Sequence, residues 1–367
     1  MKVLKCKIGW LLLMLLLWSP ILSAKEYTQK VKKSSSISAN GLVNLSNTRG
    51  MIEVKTWNKS EVSVDVLITV NARNQSDAND VFERIRILFD NYGNNFTART
   101  EIREMPKYSW NYVRSEYTVD YVVYMPKTCS LNLYNKFGDA LISELEGTAT
   151  LSVEHGNIRL TTVENQLNLN LEYGNCTVAQ AANSVIKMKH GNIRLKKAND
   201  INFITSYSKI NVDEAGYIKS KSINDTYKLG IVKEFRNQGK YDNIEITKVD
   251  NIIVISRYSD FKIKAIQKSA DLDMVHGSVE VEKVAQGFSE ILMVGERTDF
   301  RLKIEKGTEY QMDATARNAS LKFPEVRKIL KQKDNGDIKK VEFYVGKKVN
   351  PYSYIKARVV HGDISVR

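Results

Sequence analysis

Four histidines are the side chains in this sequence best suited to chemistry, and their spacing is regular. His155, His190, His276 and His361 each precede a glycine, as in His155-Gly156-Asn157-Ile158-Arg159-Leu160, His190-Gly191-Asn192-Ile193-Arg194-Leu195 and His361-Gly362-Asp363-Ile364-Ser365-Val366. Imidazoles invite a metal reading, because zinc takes ring nitrogens about 2 Å away. The same slot, however, holds Phe137, Tyr173, Tyr207, Tyr227, Tyr241 and Tyr258, and no two histidines fall in consecutive copies. His155 and His190 are two copies apart, roughly 10 Å if copies stack at strand spacing. The slot therefore reads as an aromatic ladder, and neither a metal nor a cofactor is expected.

Glycoside hydrolysis needs two carboxylates about 5 to 9.5 Å apart across a substrate. Asp139, Glu154, Glu172, Glu214, Glu245 and Glu280 are scattered along outward faces. Asp271 and Asp273, on either side of Leu272, come nearest to a pair but read as solvated. Neither a Gly-x-Ser-x-Gly elbow, a phosphate loop nor a calcium-binding nonapeptide run occurs. No catalytic residue is assigned, and a polysaccharide lyase or hydrolase on a parallel β-helix, or a periplasmic signalling partner, stands as the alternative. The ligand-binding candidate is Tyr108, Trp110 and Tyr112, alternating after Pro106. Rings with apolar faces and polar edges suit sugars or a protein partner, unless they fold onto the repeats as part of a cap.

The elements that would position these groups follow from the repeat. From Phe137 to His276 the slot recurs at steps of 18, 18, 17, 17, 20, 14, 17 and 18 residues. Apolar residues fall two and four before the slot, as Leu171 and Leu169 or Met274 and Leu272, and three and five after it, as Ile210 and Val212 or Phe261 and Ile263. Period two on both sides of a turn predicts two short strands per repeat, each with one buried face. Gly and then Asn or Asp after the slot suit a turn with positive φ. A repeat this short leaves no room for a helical crossover between parallel strands. The expected fold is all-β: a parallel β-solenoid, or β-helix, of ~17–18-residue coils stacked at strand spacing.

The phase extends to Arg49, Arg297 and Asn318. Between Asn318 and His361 an excursion over residues 324–348 interrupts the stack, with a short helix expected at 324–330 and a strand at 341–345. Residues 25–128 are less regular and predict a β-rich N-terminal cap, with strands near 62–68 and 117–124, a helix beginning at 76–80, and a hairpin turning at 92–95. Residues 129–367 form the expected repeat region.

Lys2, Lys5 and Lys7, the apolar run from Ile8 to Trp18, and Ser23-Ala24 read as a signal peptide over residues 1–24. Export to the periplasm or cell surface follows, with no integral span after cleavage. Losing three lysines takes the formal charge from +13 to +10. The basic residues are spread over the repeats, as on a solvated strand-rich surface. No nucleic-acid motif is present, and the partner expected is a glycan or an envelope protein. Cys129 and Cys176 both carry inward parity and lie too far apart for a disulfide, which needs Cα atoms within about 7 Å. Two free, buried thiols are expected.

At these residues the chain resembles the family of exported bacterial envelope proteins called putative adhesins, similar in style to autotransporter adhesin heads. The matching phrases are Gly50-Met51-Ile52-Glu53-Val54, Gly138-Asp139-Ala140-Leu141-Ile142, Gly156-Asn157-Ile158-Arg159-Leu160, Gly191-Asn192-Ile193-Arg194-Leu195 and Gly277-Ser278-Val279-Glu280-Val281. Pro126-Lys127, Leu131-Asn132-Leu133 and Gly138-Asp139 resemble the family's approach to its repeats. The resemblance implies a β-solenoid with a non-catalytic envelope role in adhesion or scaffolding, and it brings no catalytic residues. The sequence departs from the pattern where Ser208, Lys228, Asp242 and Ser259 stand in place of the glycine.

Overall fold

The computed structural model describes residues 25–103, 116–325, 328–347 and 351–367. It is nearly all strand, with one helix of eight residues, Gln75–Phe82, which we label α1. Successive strands pair in parallel, each residue facing the one 17 or 18 positions later. One inward column runs Ile158, Cys176, Ile193, Ile210, Tyr227 and Ile244, in register from row to row. A second runs Leu169, Ile186 and Phe203, and a third Val163, Ala181, Ala198, Ala215 and Val232, all buried. The two strands expected per repeat run into one another, as in Asn175–Lys189, and meet the next row at the slot turn. Burying one face of every row on its neighbours produces a continuous apolar core.

Two features of the slot differ from the sequence reading. Tyr227 is not a slot residue. It is fully buried in the column of Ile210 and Ile244, and the slot belongs to Asn224, whose φ is 56°. The steps of 20 and 14 become 17 and 17, and Asp225 rather than Lys228 stands in place of the glycine. In most rows the positive φ falls on the slot residue, whereas Gly50, Gly138 and Gly277 carry it at the glycine, as expected. His155, Tyr173, His190, Tyr207, Asn224, Tyr241, Tyr258, His276, Arg297, Asn318 and His361 all carry φ between 49° and 59°. Non-glycine residues rarely adopt this region. The glycine that follows has a different purpose at Gly174, where an added Cβ would lie 1.9 Å from the Gly156 carbonyl oxygen. Rows touch backbone to backbone there.

Residues 42–57 already form a row, since Leu42–Arg49 and Ile52–Trp57 pair in parallel with Ser130–Phe137 and Ala140–Ile142. Against this row lie Asn95–Ile102 and Glu116–Pro126. The hairpin Ile85–Tyr92/Asn95–Ile102 and the antiparallel set Lys25–Ser36, Glu61–Ala72 and Glu116–Pro126 complete that end. Helix α1 is capped by Asn74, whose side chain accepts from the Asp77 amide, and it buries Ala78 and Val81. Lysines 25, 30, 32 and 33 lie on the outer strand, a common way to discourage pairing with a second chain.

At the other end, spatial order departs from chain order. Ser353–Val360 and Ile364–Val366 insert between Glu290–Ile304 and the Tyr310–Arg317/Leu321–Lys322 row. The strand expected at 341–345 is found within Ile338–Val345, but the helix expected at 324–330 is not, since Lys328, Ile329 and Leu330 are strand. Lys328–Asp334 and Ile338–Val345 form an antiparallel hairpin, and Ile338–Val345 pairs with Tyr310–Arg317. Ile329 joins a strand instead, because the neighbouring strand edge supplies hydrogen-bond partners along its length. The turn at Asn335-Gly336, with Gly336 at φ 83°, is an ordinary hairpin signal. Among the described residues no helix is long and apolar enough to cross a membrane.

Candidate functional site

The slot side chains form a solvent-facing column of rings. Phe137, His155, Tyr173, His190 and Tyr207 stack with centroids 4.9 to 5.2 Å apart and planes within 12° of parallel. Tyr241, Tyr258 and His276 form a second run at 5.0 and 4.6 Å. Arg49 extends the first run, with its guanidinium 6.0 Å from the Phe137 ring and 5.4 Å from Tyr117. A positive φ projects each ring after Phe137 from the same turn, and the strand spacing sets the interval. Beside the rings, Asp139, Asn157, Asn175 and Asn192 form a second ladder: each asparagine amide donates to the preceding side-chain oxygen at 2.7 to 3.0 Å.

The two ladders break in adjacent rows. Asn224 carries no ring, so the column is interrupted between Tyr207 and Tyr241, and Lys209 ends the asparagine series. On one flank Lys240 pairs in register with Ile223; on the other Lys209 pairs with Thr226. A groove of about 560 Å³ runs from here along the outer face, lined in part by Lys187, Lys189, Ile204, Lys221, Ile223 and Lys240. Lys189 pairs with Glu172 at 3.6 Å, whereas Lys187, Lys209, Lys221 and Lys240 make no ion pair among the described residues. Ile204 and Ile223 are exposed within this basic surface.

Behind the break the core turns polar. The inward column that begins Leu171 and Met188 continues as Thr205, Ser222, Gly239 and Ser256. Its neighbour continues from Phe203 as Ser220 and Asn237. Asp225 and Asp242 fill the position that glycine holds elsewhere, and both are buried. Asp225 accepts from the Thr205 hydroxyl at 2.6 Å and the Ser208 amide at 2.7 Å. Asp242 accepts from the Ser222 hydroxyl at 2.7 Å and the Asp225 amide at 2.9 Å. The Tyr227 hydroxyl bonds Thr205 at 2.8 Å and Ser220 at 2.7 Å. Asn237 donates to Ser222 at 2.9 Å, while its own buried oxygen has no partner among the described residues.

Burial pushes the Asp225 carboxyl up to about 6, and the neighbouring Asp242 charge adds to the rise against the lowering effect of its hydrogen bonds. Asp242 is raised by burial as well. Among the described residues no cation contributes to the pair, and each carboxylate is held by hydroxyl and amide donors. The sequence reading treated Asp242 only as a missing glycine and overlooked Asp225. The available signal was the run of Ser and Asp at inward positions in four consecutive rows.

Tyr108, Trp110 and Tyr112 lie outside the described residues. Asp271 and Asp273 are both exposed on the outer face, with Leu272 buried between them. His155, His190 and His276 are ring-stacked, and among the described residues no cluster of three or more His, Cys, Asp or Glu is arranged for a metal. Cys129 and Cys176 are free and buried, as expected. Burial raises both thiols, Cys176 to about 12, which leaves it unreactive.

No protein-family model matches the chain, and no curated protein matches it. Among solved structures it is similar to a putative cell adhesion protein of Clostridium sporogenes, at 8% identity over 92% of this chain and 99% of that one, with a TM-score of 0.17. A putative adhesin of Bacteroides fragilis is 10% identical over 76% of this chain and 97% of its own, with a TM-score of 0.25. A putative adhesin of Parabacteroides distasonis is 9% identical over 92% and 97%, with a TM-score of 0.27.

Proposed function

We propose that the chain is an exported, non-catalytic envelope protein that acts as an adhesin or scaffold. In this reading residues 1–24 direct export, 25–128 cap one end, and 129–367 form a parallel β-solenoid that presents its outer faces to a glycan or an envelope partner. The observation that carries it is the exposed column of stacked rings running across successive rows. A rigid aromatic ridge loses little conformational freedom on contact, so more of the contact energy appears as affinity. Scattered, solvated carboxylates on the same rows suit a surface better than a reaction centre.

Expressed in its native host, the protein is expected in the envelope fraction with a mass lacking the first 24 residues. Immobilised, it should capture glycans or envelope proteins without altering them. A soluble cytoplasmic location would defeat the proposal, as would release of unsaturated or reducing sugar from a glycan panel. Tyr108, Trp110 and Tyr112 enter this reading as a second contact surface. Replacing all three with Ala should weaken capture while leaving the CD spectrum and thermal midpoint nearly unchanged. Loss of several kcal/mol, as for truncated buried aromatics, would assign them to the core instead.

A further inference from the structure

The ring column from Phe137 to His276 lacks a ring at one row only, that of Asn224. Tyr207 and Tyr241 each present an unstacked face to this gap, roughly 10 Å apart at two strand spacings. Both are more than half exposed, at 57% and 55%. We propose that the gap is a binding slot for one acidic pyranose of a glycan, its ring held between Tyr207 and Tyr241 and its carboxylate between Lys209 and Lys240. The inference rests on the adhesin reading and names the ligand class for it.

The width favours a sugar over a flat ring. Each tyrosine lies about 5 Å from the midplane, whereas carbon atoms attract best at about 3.5–4.0 Å. The ladder's own rings sit 4.6 to 5.2 Å apart because their backbones fix them there. A free flat ligand has no such tether and would leave slack on both sides. A chair-shaped pyranose is thicker and offers C–H groups to both faces. The charge is chosen by Lys209 and Lys240, which flank the turn without partners of their own. Lys187 and Lys221 continue the same charge along the adjoining groove, beside Ile204 and Ile223, so further sugar units have a path. Exposed lysines contribute little each, which makes the binding weak per unit, salt-dependent and reliant on the ring slot for position.

The test fills the gap. Asn224 has φ 56°, and Tyr207 and Tyr241 hold φ 53° and 59° in the same slot, so Asn224→Tyr places a ring where this turn already accepts one. Binding of oligogalacturonate, followed by isothermal titration calorimetry, is expected to fall at least tenfold in Asn224→Tyr with an unchanged or raised thermal midpoint. Asn224→Gly, which keeps both the gap and the backbone conformation, should bind like the parent. The methyl-esterified oligomer should bind at least tenfold more weakly than the acid. Equal binding by Asn224→Tyr and the parent overturns the slot. Equal binding of ester and acid overturns the acidic class. Binding of indole-3-carboxylate with no response to oligogalacturonate overturns the sugar. An envelope-located protein that adheres while failing any of these leaves the adhesin reading standing; absence from the envelope fells that reading separately.

Discussion

An alanine at position 174 is expected to cost about 3 kcal/mol or more, and an alanine at 191 distinctly less. The two glycines occupy the same place in consecutive copies of one motif, and burial alone would rank them the other way, since Gly191 is buried and Gly174 half-buried. Their surroundings reverse that order. A Cβ on Gly174 would lie 1.9 Å from the Gly156 carbonyl oxygen, and one on Gly191 would lie 2.8 Å from that of Gly174. In the first case the obstacle is backbone in a paired row, so two rows must part and lengthen their shared hydrogen bonds. Overpacking a tight site costs about 1–3 kcal/mol and sometimes more, and an immovable neighbour places Gly174 at or beyond the upper end. In the second case a shift of a few tenths of an ångström relieves most of the clash. Thermal unfolding of Gly174→Ala and Gly191→Ala, monitored by CD in parallel with the parent, should rank the midpoints parent, 191, 174. Equal midpoints for all three would show that the close approach at Gly174 is not a real constraint.

That comparison also marks how far the sequence could be read. Period-two alternation around the slot gave the inward columns correctly, because burial on one face of a strand leaves no other pattern. The hairpin at 92–95 was legible from Gly93, and helix α1 from the stretch Ser76–Asp80, although its cap at Asn74 was not. The phase slipped once, at Tyr227, because the slot was followed by ring type. The physical requirement is a backbone at positive φ, which Asn tolerates better than Tyr does, and Asn224 meets it. Following the backbone requirement instead would have kept the interval at 17 and moved Tyr227 indoors. The helix expected at 324–330 failed for the opposite reason: local sequence favoured it, but a strand edge at Ile338–Val345 was available to pair.

The slip at Tyr227 hid the most irregular part of the molecule. Three departures coincide at the rows of Tyr207, Asn224 and Tyr241: the missing ring, the end of the asparagine ladder, and the polar core behind them. Each alone looks like drift in a repeat. Row-by-row register makes them one place, since residues 17 apart become neighbours. In a stack whose rows otherwise repeat the same contacts, a local change on both the inner and outer faces is where a specific function has room to reside. The outer change offers a slot and the inner one a polar mass that costs stability, and these can be tested apart.

Asp225 provides the inner test. Its carboxyl has an ordinary value of 3.8 and is raised to about 6 in the folded protein, chiefly by burial. Between these values the folded state holds more protons than the unfolded chain, so this group's contribution falls as pH rises. The contribution is fully present below about pH 4 and is lost by the time pH has passed 6. The difference of about two units corresponds to about 3 kcal/mol, an upper figure because neighbouring donors can reorient. Asp242, raised in the same direction, adds to the trend. Lowered groups such as Glu305 and Asp363 act oppositely, so a single protein's pH profile mixes the two signs. Comparing the parent with Asp225→Asn removes the mixture. Asn keeps an oxygen for the Ser208 amide, and the Thr205 hydroxyl can turn to accept from the new amide. Urea unfolding should find the two proteins equally stable near pH 3.5, and the variant more stable by up to about 3 kcal/mol at pH 7.5. Oligogalacturonate binding by this variant should match the parent, because Asp225 faces the core and not the ring slot. A stability difference independent of pH would show that Asp225 is charged throughout and held by its donors, not carried as a buried acid.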